Sequence, residues 1–371
     1  MRRAGGGPRD PLHAARRSRR AGDRPRPARV PPPRRRAHGA ALHRPRREDQ
    51  GAVSYYLTVD IGGTKTACAA GTAAAEILHR REHPTPVAQG PEACLERIAR
   101  ELRHVLREMR GTSPAPEAVG VACGGPLDSR TGTIYSPPNL PGWDGVPVKA
   151  FLEERFGLPT FVENDANAGA LAEHRFGAGR GKRNLIYLTL GTGIGGGIII
   201  DGRLYRGTTD DAGEIGHTTI LPDGPECLCG KRGCLEALVA GPAIQARAQR
   251  LAREHPGSLM NGLVTRSGEI TPAVALQAAK QRDWAACEVF RETGLYLGIG
   301  IANLIQVLNP EVIALGTIAV HARNLLLSPA RRSARRHSWP RAWKAVRVVP
   351  SKLGERVGDL AALCCALNAG A

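Results

Sequence analysis

Residues 55–70 read YYLTVDIGGTKTACAA, and residues 185–200 read LIYLTLGTGIGGGIII. Both run apolar and β-branched residues into a glycine-rich turn and out again, the pattern of strand, tight turn and second strand. In the first, strand 55–60 enters Ile61-Gly62-Gly63-Thr64-Lys65-Thr66 and the second strand occupies 67–70. In the other, strand 185–190 enters Gly191-Thr192-Gly193-Ile194-Gly195-Gly196, and strand 197–200 closes at Asp201-Gly202. Such turns expose backbone N–H groups, which suit phosphate oxygens. Gly191, Gly193 and Gly196 also fit G-x-G-x-x-G, but a dinucleotide fingerprint opens a helix, and three isoleucines followed by Asp-Gly spell strand and turn. No G-x-x-x-x-G-K-[ST] loop is present. One glycine turn alone is often a plain hairpin. Two of them, the first carrying Asp60, Thr64 and Lys65, point to a nucleotide phosphate held between two similar domains.

Between and beyond the hairpins the pattern alternates helix and strand, which marks an α/β protein. Leu95, Ile98, Leu102, Val105, Leu106 and Met109 have helical spacing over 91–110, with Pro91 in the first turn. Residues 118–122 and 160–163 read as strands, and an alanine-rich helix runs from Asn164-Asp165 to Phe176. Asp165 has two readings at this point: a helix cap, the ordinary job of Asp before an alanine run, or a general base at a strand end facing a cleft. The proline-stiffened loop SPPNLPGW (136–143) is either a rigid surface loop or a mount for Asn139 facing a polar ligand. A long helix is expected over 283–308, closed by Asn309-Pro310. Strands at 311–315 and 345–349 and a final helix at 359–367 complete the pattern.

The stretch EIGHTTILPDGPECLCGKRGCLE (214–236) places His217, Cys227, Cys229 and Cys234 within eighteen residues. Four N/S ligands are what tetrahedral zinc takes, and Cys3His sets are usually closed structural sites. Gly230 and Gly233 let the backbone bend between the thiolates. Three thiols cannot all pair as disulfides, and nothing marks the chain as secreted. Zinc is the expected occupant.

The chain of 371 residues carries a formal charge of +18, which invites a nucleic-acid reading. However, residues 1–50 hold sixteen Arg against four acidic residues, so +12 lies there and only +6 in the rest. That remainder is ordinary for an enzyme, and a nucleic-acid partner is not expected. Residues 1–53, rich in Arg, Pro and Ala, cannot bury enough surface to offset chain entropy and are expected to be a disordered tail. An alternative expectation is a mis-assigned start, with translation beginning at Val53 from a GTG codon. The six cysteines outside the metal set lie mostly in apolar runs and read as small buried thiols. No eighteen-residue apolar run suits a membrane span, no apolar region follows the N-terminal arginines as in a secretory signal, and the compartment expected is the reducing cytoplasm.

DIGGTK (60–65), SPPNLPGW (136–143), ENDAN (163–167), LGTGIGGG (190–197), EIGH (214–217), CLCGKRGCLE (227–236) and NPEVIALG (309–316) together resemble the ROK family of repressors, open reading frames and sugar kinases, over roughly residues 55–371. The first motif alone is weak; the full set in this order is very specific. The resemblance implies an α/β, actin-like ATPase (ribonuclease H-like) fold, with two α/β domains around a cleft. These would be 54–166, completed by the C-terminal helix 355–371, and 167–354 with the zinc loop. It further implies an ATP-dependent hexose kinase making glucose 6-phosphate. By resemblance, Asp165 is the base that takes the sugar hydroxyl's proton, and Asn139, Asn164, Glu214, His217 and Glu236 bind sugar hydroxyls. Gly62, Gly63, Thr64, Lys65, Gly191, Thr192, Gly193 and Gly195 hold the ATP phosphates, Asp60 lies near Mg²⁺, and Gly316 lies beside the adenine. One imidazole nitrogen of His217 would bind zinc and leave the other for the sugar. A homodimer or homotetramer is expected on the same ground. An N-acetylhexosamine or fructose kinase shares this chemistry. A sugar-responsive ROK regulator needs a helix-turn-helix, which the prolines of 1–53 forbid. One departure stands out: Thr317 follows Gly316 where many members have a second glycine, and a β-branched residue resists positive φ.

Overall fold

The computed structural model describes residues 54–111, 114–264 and 268–368; the expected tail and the Val53 start lie outside the described residues. Thirteen strands form three sheets among the described residues. The first hairpin of the sequence opens a five-stranded sheet built from β1 (Tyr55–Ile61), β2 (Lys65–Thr72), β3 (Ile77–Pro84), β4 (Val119–Cys123) and β8 (Thr160–Asn164), in the order β3-β2-β1-β4-β8. The second hairpin opens another, of β9 (Leu185–Leu190), β10 (Ile194–Ile200), β11 (Arg203–Tyr205), β12 (Val312–Leu315) and β13 (Arg347–Pro350), in the order β11-β10-β9-β12-β13. In each, three strands meander antiparallel and the next two run parallel to the first. The two sheets thus repeat one topology. A small antiparallel sheet of β5 (Leu127–Asp128), β6 (Thr133–Tyr135) and β7 (Asp144–Pro147) carries the proline-rich loop.

Strand alternation decides what covers the first sheet. Leu57, Val59, Ile61, Val119, Val121 and Cys123 point to one face, where helix Gly90–Glu108 buries Leu95, Ile98, Leu102 and Val105 against them. The intervening residues, among them Gly120 and Ala122, are small and face helix Val357–Leu367. A Cβ on Gly120 would collide with the Ala362 carbonyl, so the helix backbone lies directly on the strand. Helix Asp165–Phe176 packs on the same C-terminal helix and on β9 and β10. Leu171, Leu185, Tyr187, Ala314, Leu360 and Leu363 form the cluster where these elements meet. The largest cluster lies beyond it, around helix Trp284–Leu308, which packs along helix Asn324–His337.

Element boundaries move by one to three residues from those expected. The long helix starts at Trp284 because Asp283 is its cap, accepting from Ala286 N, and it ends where Asn309 turns to φ 43°. Strand β13 starts two residues late because Pro340–Ala345 forms a short helix. Of the cysteines outside the metal set, Cys68, Cys94, Cys123, Cys364 and Cys365 are buried and Cys287 is half-buried. Burial pushes the Cys364 thiol up to about 12, an inert state at neutral pH.

Candidate active site

A cleft of about 410 Å³ opens at the carboxyl ends of β1, β4 and β8, and Asp60, Lys65, Asp165, Tyr187 and Thr317 line it. Asp60 is the penultimate residue of β1, on the face covered by helix Val357–Leu367. Gly358 makes that approach possible, since a Cβ there would collide with Asp60 Oδ2. Confinement, followed by the neighbouring charges of Asp165 and Asp359, pushes the Asp60 pKa up to about 7; Lys65 and Arg80 pull in the other direction. The turn beyond Asp60 is held shut: Gly62 N donates to Lys65 O at 3.0 Å, and Thr85 Oγ1 donates to Gly62 O at 2.6 Å. Lys65 and Arg80 both pair with Glu82, at 3.1 and 2.7 Å, and Arg80 also grips Asp359 at 2.9 Å.

The strand end carries Asn164 and Asp165 side by side. The cap is Asn164: its Oδ1 accepts from Ala166 N at 2.9 Å and from Asn167 N at 3.2 Å. Asp165 Oδ1 takes a second bond from Ala166 N at 2.7 Å. Its carboxylate is open to the cleft yet walled by protein on its other sides, and that crowding raises its pKa. Asp165 bears electrostatically on Asp60 and, more weakly, on Glu214, so it stands within reach of both the first glycine turn and the cysteine-rich loop. Asn139 sits close by, with its carbonyl against Gly63 and its amide beside Gly124. Asn164 Nδ2 lies against the next residue, Gly125.

In the cysteine-rich loop His217, Cys227, Cys229 and Cys234 bring their donor atoms within 4.8 Å of one another. Zinc bonds of about 2.3 Å to sulfur and 2.05 Å to nitrogen, at tetrahedral angles, imply edges of roughly 3.8 Å between sulfurs and 3.6 Å between sulfur and nitrogen. Cys229 Sγ lies 3.7 Å from Cys234 Sγ, and Cys227 Sγ lies 3.6 Å from His217 Nδ1. The donor set fits zinc. His217 Nδ1 is the nitrogen turned to the sulfurs, while Nε2 faces Glu214 Oε2 at 3.8 Å. Burial raises the Glu214 pKa against the opposing pull of His217.

Glu236 does more than the motif suggested. Its Oε2 accepts from Ile194 N at 2.8 Å, so the helix after the cysteines holds the second glycine turn. That turn is further tied by Gly191 N to Gly193 O, at 2.9 Å, and by Gly241 N to Gly191 O, at 2.8 Å. Gly195 lies against Ala166, which brings this turn to the start of the helix carrying Asp165. Thr192 is exposed at the turn's tip, as Thr64 is in the first. Gly316 presses on the Tyr187 hydroxyl. Thr317 takes the positive φ that the sequence disfavours, 42°, and its Oγ1 accepts from Leu190 N at 2.8 Å. The hydrogen bond offsets part of the backbone strain.

Sequence reasoning missed Arg80, Tyr187, His321 and Asp359, all of which line the cleft. None lies in a glycine turn or cysteine cluster. Arg80 sits in a charged strand and Asp359 in a helix 279 residues away, so only the fold unites them.

The ROK family model matches residues 56–368 of this chain. Among curated relatives, a glucokinase of Halalkalibacterium halodurans is 36% identical over 82% of this chain and 92% of its own. A xylose repressor of Bacillus spizizenii is 29% identical over 75% of this chain and 68% of its own. Among solved structures, a ROK family glucokinase from Streptomyces griseus in complex with glucose and AMPPNP is 35% identical, with a TM-score of 0.72 over 83% of this chain and 98% of that one. The repeated sheets and their neighbours establish the actin-like ATPase fold. By family model and by relatives matched along most of their length, this chain belongs to the ROK family.

Proposed function

We propose that the protein transfers the γ-phosphoryl group of ATP to a hexose, glucose at its 6-hydroxyl, giving glucose 6-phosphate and ADP. The position of Asp165 carries this reading: a carboxylate of raised pKa at a capped helix start, in one cleft with Asp60 and within electrostatic reach of Glu214 on the loop that bears His217.

A sugar hydroxyl is a poor nucleophile, and a positioned carboxylate accepts its proton as the bond to phosphorus forms. Asp165 takes that role, and the raised pKa that its burial gives it makes it the better acceptor. Asn139, Asn164, Glu214 and His217 orient the sugar hydroxyls, His217 through Nε2 because Nδ1 faces the sulfurs. Glu236 joins them as a sugar-binding residue and also holds the second glycine turn through Oε2. The turns around Gly62, Gly63, Thr64 and Lys65, and around Gly191, Thr192, Gly193 and Gly195, present N–H dipoles and a cation to the phosphates. Gly316 and Thr317 border the base. Magnesium arriving with the nucleotide near Asp60 would neutralise charge on the transferring group. Zinc on the Cys3His set would stiffen the loop that carries Glu214 and His217.

We assign residues 54–166 with 355–371 to one lobe of the cleft and 167–354 to the other, and place the enzyme in the cytoplasm as a homo-oligomer. Among the described residues no helix is long and apolar enough to cross a membrane. Coupled ADP release over a panel of hexoses and amino sugars tests the function, and glucose should give the highest kcat/KM. Faster turnover of an N-acetylhexosamine or fructose would move the substrate within the same chemistry. Sugar binding with no ADP release from any member would overturn the kinase in favour of a regulator, the class of the Bacillus spizizenii relative.

A further inference from the structure

Glu163, the residue before Asn164, is charged yet only 4% exposed. Its two oxygens are divided. Oε2 accepts from Arg206 Nε at 2.8 Å, with Nη2 of the same guanidinium also at 2.8 Å. Oε1 accepts from the Asn164 backbone N–H and from Asn167 Nδ2, both at 3.0 Å. Arg206 therefore stands one side chain away from the capped turn that presents Asp165.

Arg206 lies just past β11 of the second sheet, whereas Glu163 lies in β8 at the edge of the first. It also opens the loop that ends in Glu214 and His217. That loop is fastened again further on. Asp210, at φ 65°, accepts from Ser129 N at 2.9 Å and from Ser129 Oγ at 2.7 Å. Gly213 then passes beside Asn167, whose buried Oδ1 finds no partner among the described residues. A carboxylate this deeply buried needs its cation. Without the guanidinium it is left buried and unpaired, and the rearrangement that relieves this loosens the hold on Asn164 and Asn167.

We propose that Arg206 is a positioning residue that ties the loop carrying Glu214 and His217 to the strand end carrying Asn164 and Asp165. The hydroxyl-binding side chains and the base are thereby placed in register by one ion pair. Arg206 touches no substrate; it acts through Glu163. The inference rests on the reading of Asp165 as base.

A second cavity, of about 400 Å³, is lined by Ser129, Glu163, Arg206 and Asp210 and admits small solutes to the pair. The test uses the full chain with glucose and ATP. Arg206→Ala should lose roughly 10- to 100-fold in kcat, the range for a displaced reacting group, with KM for ATP within about twofold. Millimolar guanidinium should restore several-fold of that loss and do nothing for the wild type. Arg206→Lys should retain an intermediate rate. Glu163→Gln should cost a similar amount, and adding Arg206→Ala to it should cost little more. A folded Arg206→Ala enzyme with wild-type kcat overturns the proposal, as does a loss that guanidinium leaves unchanged and that adds fully to Glu163→Gln. Should Arg206→Ala not fold, Arg206→Lys and Glu163→Gln decide it by the same split of kcat from KM. Asp165→Asn run alongside keeps the two readings apart, since an active Asp165→Asn enzyme removes the base whatever Arg206 does.

Discussion

Asp165→Asn keeps the shape of the side chain and removes its ability to accept a proton. Turnover should fall by about 10²- to 10⁴-fold, the usual worth of a positioned base, while glucose affinity by calorimetry stays within a few-fold. Substantial residual kcat would remove the residue from its role. Asp60 makes a second prediction, through pH. Folded, it holds its proton up to about pH 7; unfolded, it releases it near 3.8. The folded state therefore binds the extra proton between those values, and this contribution to stability is lost as pH rises through the window. Asp60→Asn should flatten that part of the melting-temperature profile and melt higher than wild type above neutrality, at the cost of activity. Equal slopes for the two proteins would refute the raised pKa. At this scale the sequence was legible where spacing carries the chemistry, as in His217 with its three cysteines. It was not legible at Asn164 and Asp165, since two adjacent side chains can each cap a helix and only geometry says which does. Thr317 shows the opposite case: propensity argued against φ 42°, and the residue takes it with a hydrogen bond from Leu190 N that offsets part of the strain.

The cysteine-rich loop joins two tasks, because it sets Glu214 beside His217, the pair proposed to meet the sugar, and Glu236 at its end holds Ile194 N of the second glycine turn. Cys229→Ala should abolish zinc binding, measured by metal analysis of the purified protein, and release the loop. KM for glucose should rise by about tenfold or more, on the scale of a lost ligand or its support, and by more than KM for ATP. A zinc-free variant with an ordinary KM would make the loop ornamental. Both glycine hairpins could be read from sequence because each is local: strand, turn and strand are neighbours in the chain. Strand β3 could not, since ILHRREHP is charged and has a single buried residue at a sheet edge, without the apolar alternation that marks a half-buried strand. The short strands around the proline-rich loop escaped for a related reason. Two to four residues are too few to show a period.

The duplicated topology was implied by the duplicated hairpin, but the elements that close the cleft come from far along the chain. Arg80 meets Asp359, Arg206 meets Glu163, and Gly358 meets Asp60. No local pattern announces such pairs. Helix Val357–Leu367 is the plainest example, because it covers one face of a sheet whose last strand ends at Asn164. A chain cut after Ser351 should lose the cooperative melt of the protein, since Leu360, Ala361, Ala362, Leu363 and Cys364 leave the interior together. Circular dichroism of the truncated chain would check this, and a sharp, wild-type transition would mean that the helix is dispensable.

That arrangement also orders events on the ribosome. The five strands of the first sheet emerge long before their covering helix is made, so the nascent chain waits with Asp60, Gly120 and Ala122 bare to water. The half translated first is therefore finished last, with one face left uncovered for about half of the time that synthesis takes.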